Sequence, residues 1–488
     1  MTTALFVVAT MVAYFALLLL VSRLVARRGD NDAFFRGNRR SPWGAVAFGM
    51  IGASISGVSF ISVPGWVAQT GMTYLQMCLG FCVGYVAVAF VLLPLYYRLG
   101  LTSIYGYLGQ RYDRATRRTG AAFFLLSKLT GASARLYLAC LVLQTFVADR
   151  LGVPYWATVA ATLALIWLYT RRSGIRTLVW TDALQTLCLL AALVGVMVIV
   201  AGRMGLDVAG VVQTVAGSPM SRIFVFDDWL TPQNFWKQFI SGAFVVIVMT
   251  GLDQDMMQKN LTCPSLRAAQ KDMCAYGCAF VPVNLFFLAL GVLLYTFAAR
   301  QHVALPAAGD EVLPFLVGGG WLGTAVVVPF TVGIVAAAFS SADSALTSLT
   351  TSCCIDLLRL EERGWDARRR ERWRKAVHAL MAVAFGGCIL LFRAVNSTSV
   401  IDAVYVMASY TYGPLLGLYA FGLFTRRQPR AWAILPVALT APLVCAGLDF
   451  AVPRLTGYRF GYELLLLNGA LTFAGLWLAS AGRARLRR

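Results

Sequence analysis

The sequence predicts an all-α polytopic membrane protein, and three observations carry the prediction. Of the 488 residues, 59% are hydrophobic and only 13% are charged, where a soluble domain carries about 25% charge. Mean hydropathy is +0.70, so folding in water would leave far too much apolar surface exposed. The apolar runs are about 20 residues or longer, the length that spans a bilayer as helix and about twice what a β-barrel strand needs. A large soluble catalytic domain is excluded, because no polar stretch is long enough to hold one.

Runs at 3–22, 42–66, 72–97, 119–148, 153–170, 177–202, 234–257, 273–299, 319–355, 376–392, 399–424, 430–450 and 462–481 read as thirteen spans. Charge placement supports that count. The chain holds 42 Lys and Arg against 22 Asp and Glu, a net charge of +20. Alternate gaps between the runs, with the run ends that face them, hold 32 of the basic residues, and the other gaps and run ends hold 8. That asymmetry is a positive-inside pattern, which puts the N-terminus outside and the C-terminus in the cytoplasm. The basic excess therefore reads as a topology signal, with no nucleic-acid partner expected. The first span has no basic residues before it, so it reads as a membrane helix and not a signal peptide. The basic stop after the last run leads us to expect no fused signalling domain.

All eleven cysteines fall in spans or in loops predicted to be cytoplasmic, so no disulfide framework is expected. Cys274 and Cys278 read as packing residues. Only two histidines occur, His302 and His378, neither near a cysteine or a carboxylate pair. Asp227-Asp228 has no second acidic motif to share a magnesium cluster with. An enzyme is therefore not expected, and no catalytic residue is assigned.

An ionisable residue inside a span is expensive and signals function until shown otherwise. The ninth run reads Ala336-Ala337-Ala338-Phe339-Ser340-Ser341-Ala342-Asp343-Ser344-Ala345-Leu346-Thr347-Ser348. Ser340, Asp343, Ser344 and Thr347 recur at three- and four-residue spacing and share one helix face. Hydroxyls with one carboxylate are hard oxygen donors that suit a small cation. The second run, Gly49-Met50-Ile51-Gly52-Ala53-Ser54-Ile55-Ser56-Gly57-Val58-Ser59-Phe60 with Pro64 beyond, is expected to unwind near mid-membrane. Unwound backbone at that depth is tolerated where it lines a cavity, a device of secondary transporters. Lys128 and Arg135 lie in the fourth run. Lys128 is expected to snorkel toward the cytoplasm. Arg135, always charged, needs an anionic partner, either an internal Asp or a solute carboxylate. Asp253, Asp255, Gln258 and Lys259 read as a polar network or inner gate at the cytoplasmic end of the seventh span. Asp402 and Asp449 sit near span ends and read as structural.

These segments together resemble the sodium:solute symporter family, which includes sodium–glucose, sodium–proline and sialic acid transporters. The resemblance rests on Arg176-Thr177-Leu178-Val179-Trp180-Thr181-Asp182-Ala183-Leu184-Gln185, on Asp255-Met256-Met257-Gln258-Lys259, and on Gly413-Pro414-Leu415-Leu416-Gly417 with Gly422 and Arg426-Arg427 after it. It implies LeuT-like inverted five-helix repeats. The units would be an extra helix and loop over 1–41, a first repeat over 42–203, an outer loop over 204–233, a second repeat over 234–428 and two peripheral helices over 429–488.

The resemblance also implies site residues. A sodium site would use the carbonyls of Gly52, Ile55 and Ala337 with the hydroxyls of Ser340 and Ser341. A second cation site would use Asp182, Ser340, Asp343 and Ser344, with Asp343 standing where such members have a serine. The solute would meet Ser54, Ser56, Ser59, Cys78 and Arg135, although Cys78 stands where the sialic acid transporters have a glutamine. The implied function is sodium-coupled import of a small polar, carboxylate-bearing solute. Import of a neutral sugar or of an amino acid such as proline is the alternative. Sodium is the coupling ion, no other cofactor or metal is expected, and the chain is expected to act as a monomer in the cell membrane.

Overall fold

The computed structural model describes residues 2–25, 30–171, 174–395 and 400–483. Arg27, Arg28, Arg172, Arg485, Arg487 and Arg488, all part of the basic count, lie outside the described residues, as does the Asp402 side chain.

Helices dominate because each apolar run can satisfy its backbone polar groups only within itself. In chain order the main helices are α1 (Thr2–Val25), α2 (Trp43–Ser54), α3 (Gly57–Thr70), α4 (Tyr74–Arg98), α5 (Arg114–Leu143), α6 (Tyr155–Thr170) and α7 (Ile175–Arg203). Then follow α8 (Phe235–Gly251), α9 (Gln254–Asn260), α10 (Leu266–Arg300), α11 (Thr324–Leu357), α12 (Ala367–Val395), α13 (Val400–Phe424), α14 (Ala431–Thr456) and α15 (Leu464–Leu478). Eight helices among the described residues are long and apolar enough to cross a membrane. Two helix pairs form broken spans, α2 with α3 at a 57° bend and α8 with α9 at 69°. One small addition to the all-α plan is an antiparallel pairing of β1 (Arg427–Pro429) with β2 (Ser480–Arg483).

The first break has a local cause. Ile55 and Ser56 leave the helical region, at φ −83°, ψ 88° and φ −78°, ψ 172°. Ile55 N–H still donates to the Ile51 carbonyl at 2.9 Å, and the next turn starts from the Ser56 carbonyl, which accepts from Ser59 N–H at 2.9 Å. Among the described residues, the amides of Ser56, Gly57, Val58 and Ser59 make no helical bond back to the carbonyls of 52–55. Those carbonyls are therefore available to other partners. Gly52 is required here by close approach to α7. A Cβ on it would stand 2.2 Å from the Thr186 hydroxyl oxygen, whose hydroxyl instead accepts from Gly52 N–H at 3.1 Å.

The second break follows a π-helical stretch over Ile247–Gly251, a common mark of functional sites. Leu252 and Asp253 are non-helical, and Asp253 Oδ1 restarts the helix by accepting from Asp255 N–H at 2.8 Å. Small residues let α4 and α8 pack backbone to backbone, since a Cβ on Gly242 would stand 2.4 Å from the Met77 carbonyl oxygen. The core is thus centred on the two broken spans, with α11 buried along its length from Gly333 to Ser352.

Candidate functional site

A cavity of about 80 Å³ lies between α2, α4, α5, α8, α9, α10 and α13. Arg135 of α5 lines it, and so does Ser54 at the end of α2. Its apolar walls are aromatic: Phe81, Tyr85, Tyr276 and Phe280, with the Tyr85 and Tyr276 rings edge to face at 4.7 Å. The Ser54 hydroxyl hydrogen-bonds to the Tyr276 hydroxyl, which also accepts from Tyr85 at 2.7 Å. Ser56, Ser59 and Cys78 are buried near this region but do not line the cavity.

Charge in the cavity is arranged unevenly. Lys128 does not snorkel, which corrects the expectation: it is buried and lines the cavity. Its ammonium lies 3.1 Å from Asp253 Oδ2 and 2.7 Å from Asp255 Oδ2. Asp253 also accepts from the Tyr412 hydroxyl at 2.6 Å. The physical reason is cost. Two carboxylates buried at the break need a counter-charge, and a lysine within reach gains more by pairing there than by stretching to the interface. Asp253 and Asp255 are therefore part of the cavity wall and its support. Arg135, by contrast, forms no ion pair among the described residues, so the cavity presents one guanidinium with no carboxylate in contact.

Next to the cavity, α11 crosses the first break. Ser341 Oγ donates to the carbonyls of Ala53 at 3.0 Å and Ala337 at 3.2 Å. The residues expected to hold sodium (Gly52, Ile55, Ala337, Ser340 and Ser341) thus lie on two elements tied together at this crossing, all of them buried. Ser340 Oγ donates to Asp182 Oδ1 at 2.9 Å, and Ser344 Oγ to Asp182 Oδ2 at 3.4 Å. A hydroxyl that donates to a carboxylate keeps its lone pairs for a cation. Asp343 meets a different element: its Oδ2 accepts from Tyr169 of α6 at 2.7 Å, and its Oδ1 has no hydrogen-bond partner among the described residues.

Sequence reasoning missed two features. One is the Tyr85, Tyr276 and Tyr412 hydroxyl framework, which has no motif. The other is Lys259, whose ammonium lies 2.7 Å from Asp182 Oδ2. Charge balance was the available signal, because lysines and aspartates in or beside apolar spans have to find each other.

A bundle with two broken spans, hydroxyls and carbonyls facing at one break and an ionic cavity at the other, is the arrangement that secondary transporters use. The chain belongs to the sodium:solute symporter family, whose model matches residues 34–437. Its relatives include the human sodium/iodide cotransporter, 27% identical over 433 residues, covering 84% of this chain and 65% of the cotransporter. This chain therefore spans just under two thirds of that relative's length. The sodium/sialic acid symporter SiaT of Proteus mirabilis is 23% identical over 466 residues, covering 90% of this chain and 88% of SiaT. Among solved structures, the substrate-bound outward-open state of a Na⁺-coupled sialic acid symporter matches with a TM-score of 0.81 at 20% identity, over 98% of both chains. That likeness supports the fold, the LeuT-like arrangement expected from the sequence.

Proposed function

We propose that this protein is a sodium-coupled importer of a small carboxylate-bearing solute in the cell membrane, crossing it thirteen times with the N-terminus outside. The observation that carries the reading is Arg135, a guanidinium in the cavity wall with no ion pair among the described residues, beside a Lys128 already committed to Asp253 and Asp255. A planar guanidinium matches a carboxylate in two parallel hydrogen bonds. Ser54 and the tyrosine hydroxyls supply further polar contacts. Sodium is held by the carbonyls of Gly52, Ile55 and Ala337 and the hydroxyls of Ser340 and Ser341, neutral oxygens that bind it weakly enough to release.

Charge bookkeeping explains coupling. Arg135 and Lys128 balance Asp253 and Asp255, so an anionic solute arriving alone leaves a buried negative charge, and sodium cancels it. Each ligand raises the other's affinity by the same factor. A relative named for sialic acid, itself a carboxylate, supports a carboxylate substrate. Transport then proceeds by rocking of the repeats, residues 42–203 against 234–428, about the midplane site. A second reading, import of a neutral sugar or an amino acid such as proline, draws on the aromatic walls formed by Tyr85, Tyr276 and Phe280.

Uptake into proteoliposomes separates the two. Under an inward sodium gradient, a labelled carboxylate should accumulate, a potassium gradient should not support it, and Arg135→Gln should abolish it. Accumulation of sugar alone, undiminished in Arg135→Gln, would favour the second reading.

A further inference from the structure

We propose that Lys259 is a tethered cation that holds the Asp182 site in place of a second sodium ion, so that the chain binds one sodium and becomes a two-sodium protein when that ammonium is removed. The inference rests on the sodium reading above. Asp182 is fully buried in α7. Its carboxylate and the hydroxyls of Ser340 and Ser344, which both donate to it, make a hard-oxygen set of the kind that takes a small monovalent cation. The cation facing that set belongs to the chain: Lys259 Nζ lies 2.7 Å from Asp182 Oδ2, with 2% of the lysine side chain and none of the aspartate exposed.

Two features make the arrangement exclusive. First, ammonium and sodium carry the same charge and need the same oxygens, and two such charges a few ångströms apart in a dry interior repel strongly. Second, the lysine is aimed by its helix. Its neighbour Gln258 donates to the Phe35 carbonyl at 2.9 Å and to Thr351 Oγ1 at 3.1 Å, which pins α9 against α11. Among the described residues Asp182 is the one carboxylate in ion-pair contact with Lys259, while Asp255, Asp272 and Asp343 lie farther off and Asp255 is paired with Lys128. A lysine committed in this way supplies the counter-charge Asp182 needs without an ion from solution.

The test is a sodium titration of thermal stability on the purified full chain, with potassium keeping ionic strength constant. The slope of stabilisation against the logarithm of sodium concentration reports how many ions the native state binds. The expected slopes are one ion for the wild type, two for Lys259→Met and one for Lys259→Met with Asp182→Asn. Asp182→Asn alone keeps the slope at one, which tests the proposal even where Lys259→Met fails to fold. A wild-type slope of two, a slope of one in folded Lys259→Met, or loss of the sodium response in Asp182→Asn would each overturn it. A wild type indifferent to sodium would defeat the sodium reading itself, a result distinct from a wild-type slope of two.

Discussion

The two broken spans of the molecule interrupt their helices with opposite chemistry. At Ile55-Ser56 the chain unwinds through small and hydroxylated residues, and among the described residues the one side-chain hydrogen bond to its freed carbonyls is neutral, from Ser341 to Ala53. At Leu252-Asp253 it unwinds onto carboxylates, which Lys128 and Tyr412 hold in place. A neutral break binds an ion through dipoles and can let it go. A charged break is closed by ion pairs buried in a poor solvent, and opening one costs far more. Sodium release is therefore expected at the first, and a fixed electrostatic frame for the solute at the second.

The contrast breaks most readily at Lys128. Lys128→Met leaves Asp253 and Asp255 uncompensated and should cost about 3–5 kcal/mol, read as a large fall in melting temperature. Adding Asp253→Asn should restore part of it. A Lys128→Met protein as stable as wild type would show that the second break is not locked by charge. At the first break, Ser340→Ala removes a hydroxyl proposed to meet sodium. Sodium affinity, followed by titrating uptake or stability, should fall tenfold or more while the fold survives. Wild-type sodium dependence in that variant would sink the assignment.

Smaller effects sharpen the picture. Gly52→Ala drives a methyl into Thr186 of α7, and overpacking of this kind costs about 1–3 kcal/mol. Thr186→Ala should relieve some of that loss, and no rescue would place the strain elsewhere. Tyr412→Phe deletes one hydrogen bond to Asp253, worth about 1.5–3 kcal/mol for a charged acceptor. An unchanged melting temperature there would leave Lys128 as the sole lock.

The same contrast decides what was legible in the sequence. Glycine, serine and proline around 49–64 announce an unwound helix, because local backbone preference causes the break and local residues report it. The hydroxyl face of Ser340 and Ser344 was readable from helical spacing, and both meet Asp182. Asp343 was read on that face too, but its bond goes to Tyr169, a residue 174 positions away that no spacing reveals. Lys128 was misread, and the partner of Lys259 missed, for a related reason: Lys128 was judged by its distance from a span end and Lys259 as one of a helix-end network, while each position is set by carboxylates brought in from other helices. Cavity walls such as Tyr276 and Tyr85 carry no local signal, because only tertiary packing turns an aromatic from core filler into lining.

One measurement tests the central claim most directly: thermal stability of the purified wild type and of Arg135→Gln with short carboxylates, sialic acids and neutral sugars, each in sodium and in potassium. A ligand that binds only the native state raises its melting temperature by mass action. The account predicts stabilisation of the wild type by a carboxylate in sodium alone, and none in Arg135→Gln. An equal shift in potassium, or an undiminished shift in Arg135→Gln, would contradict it.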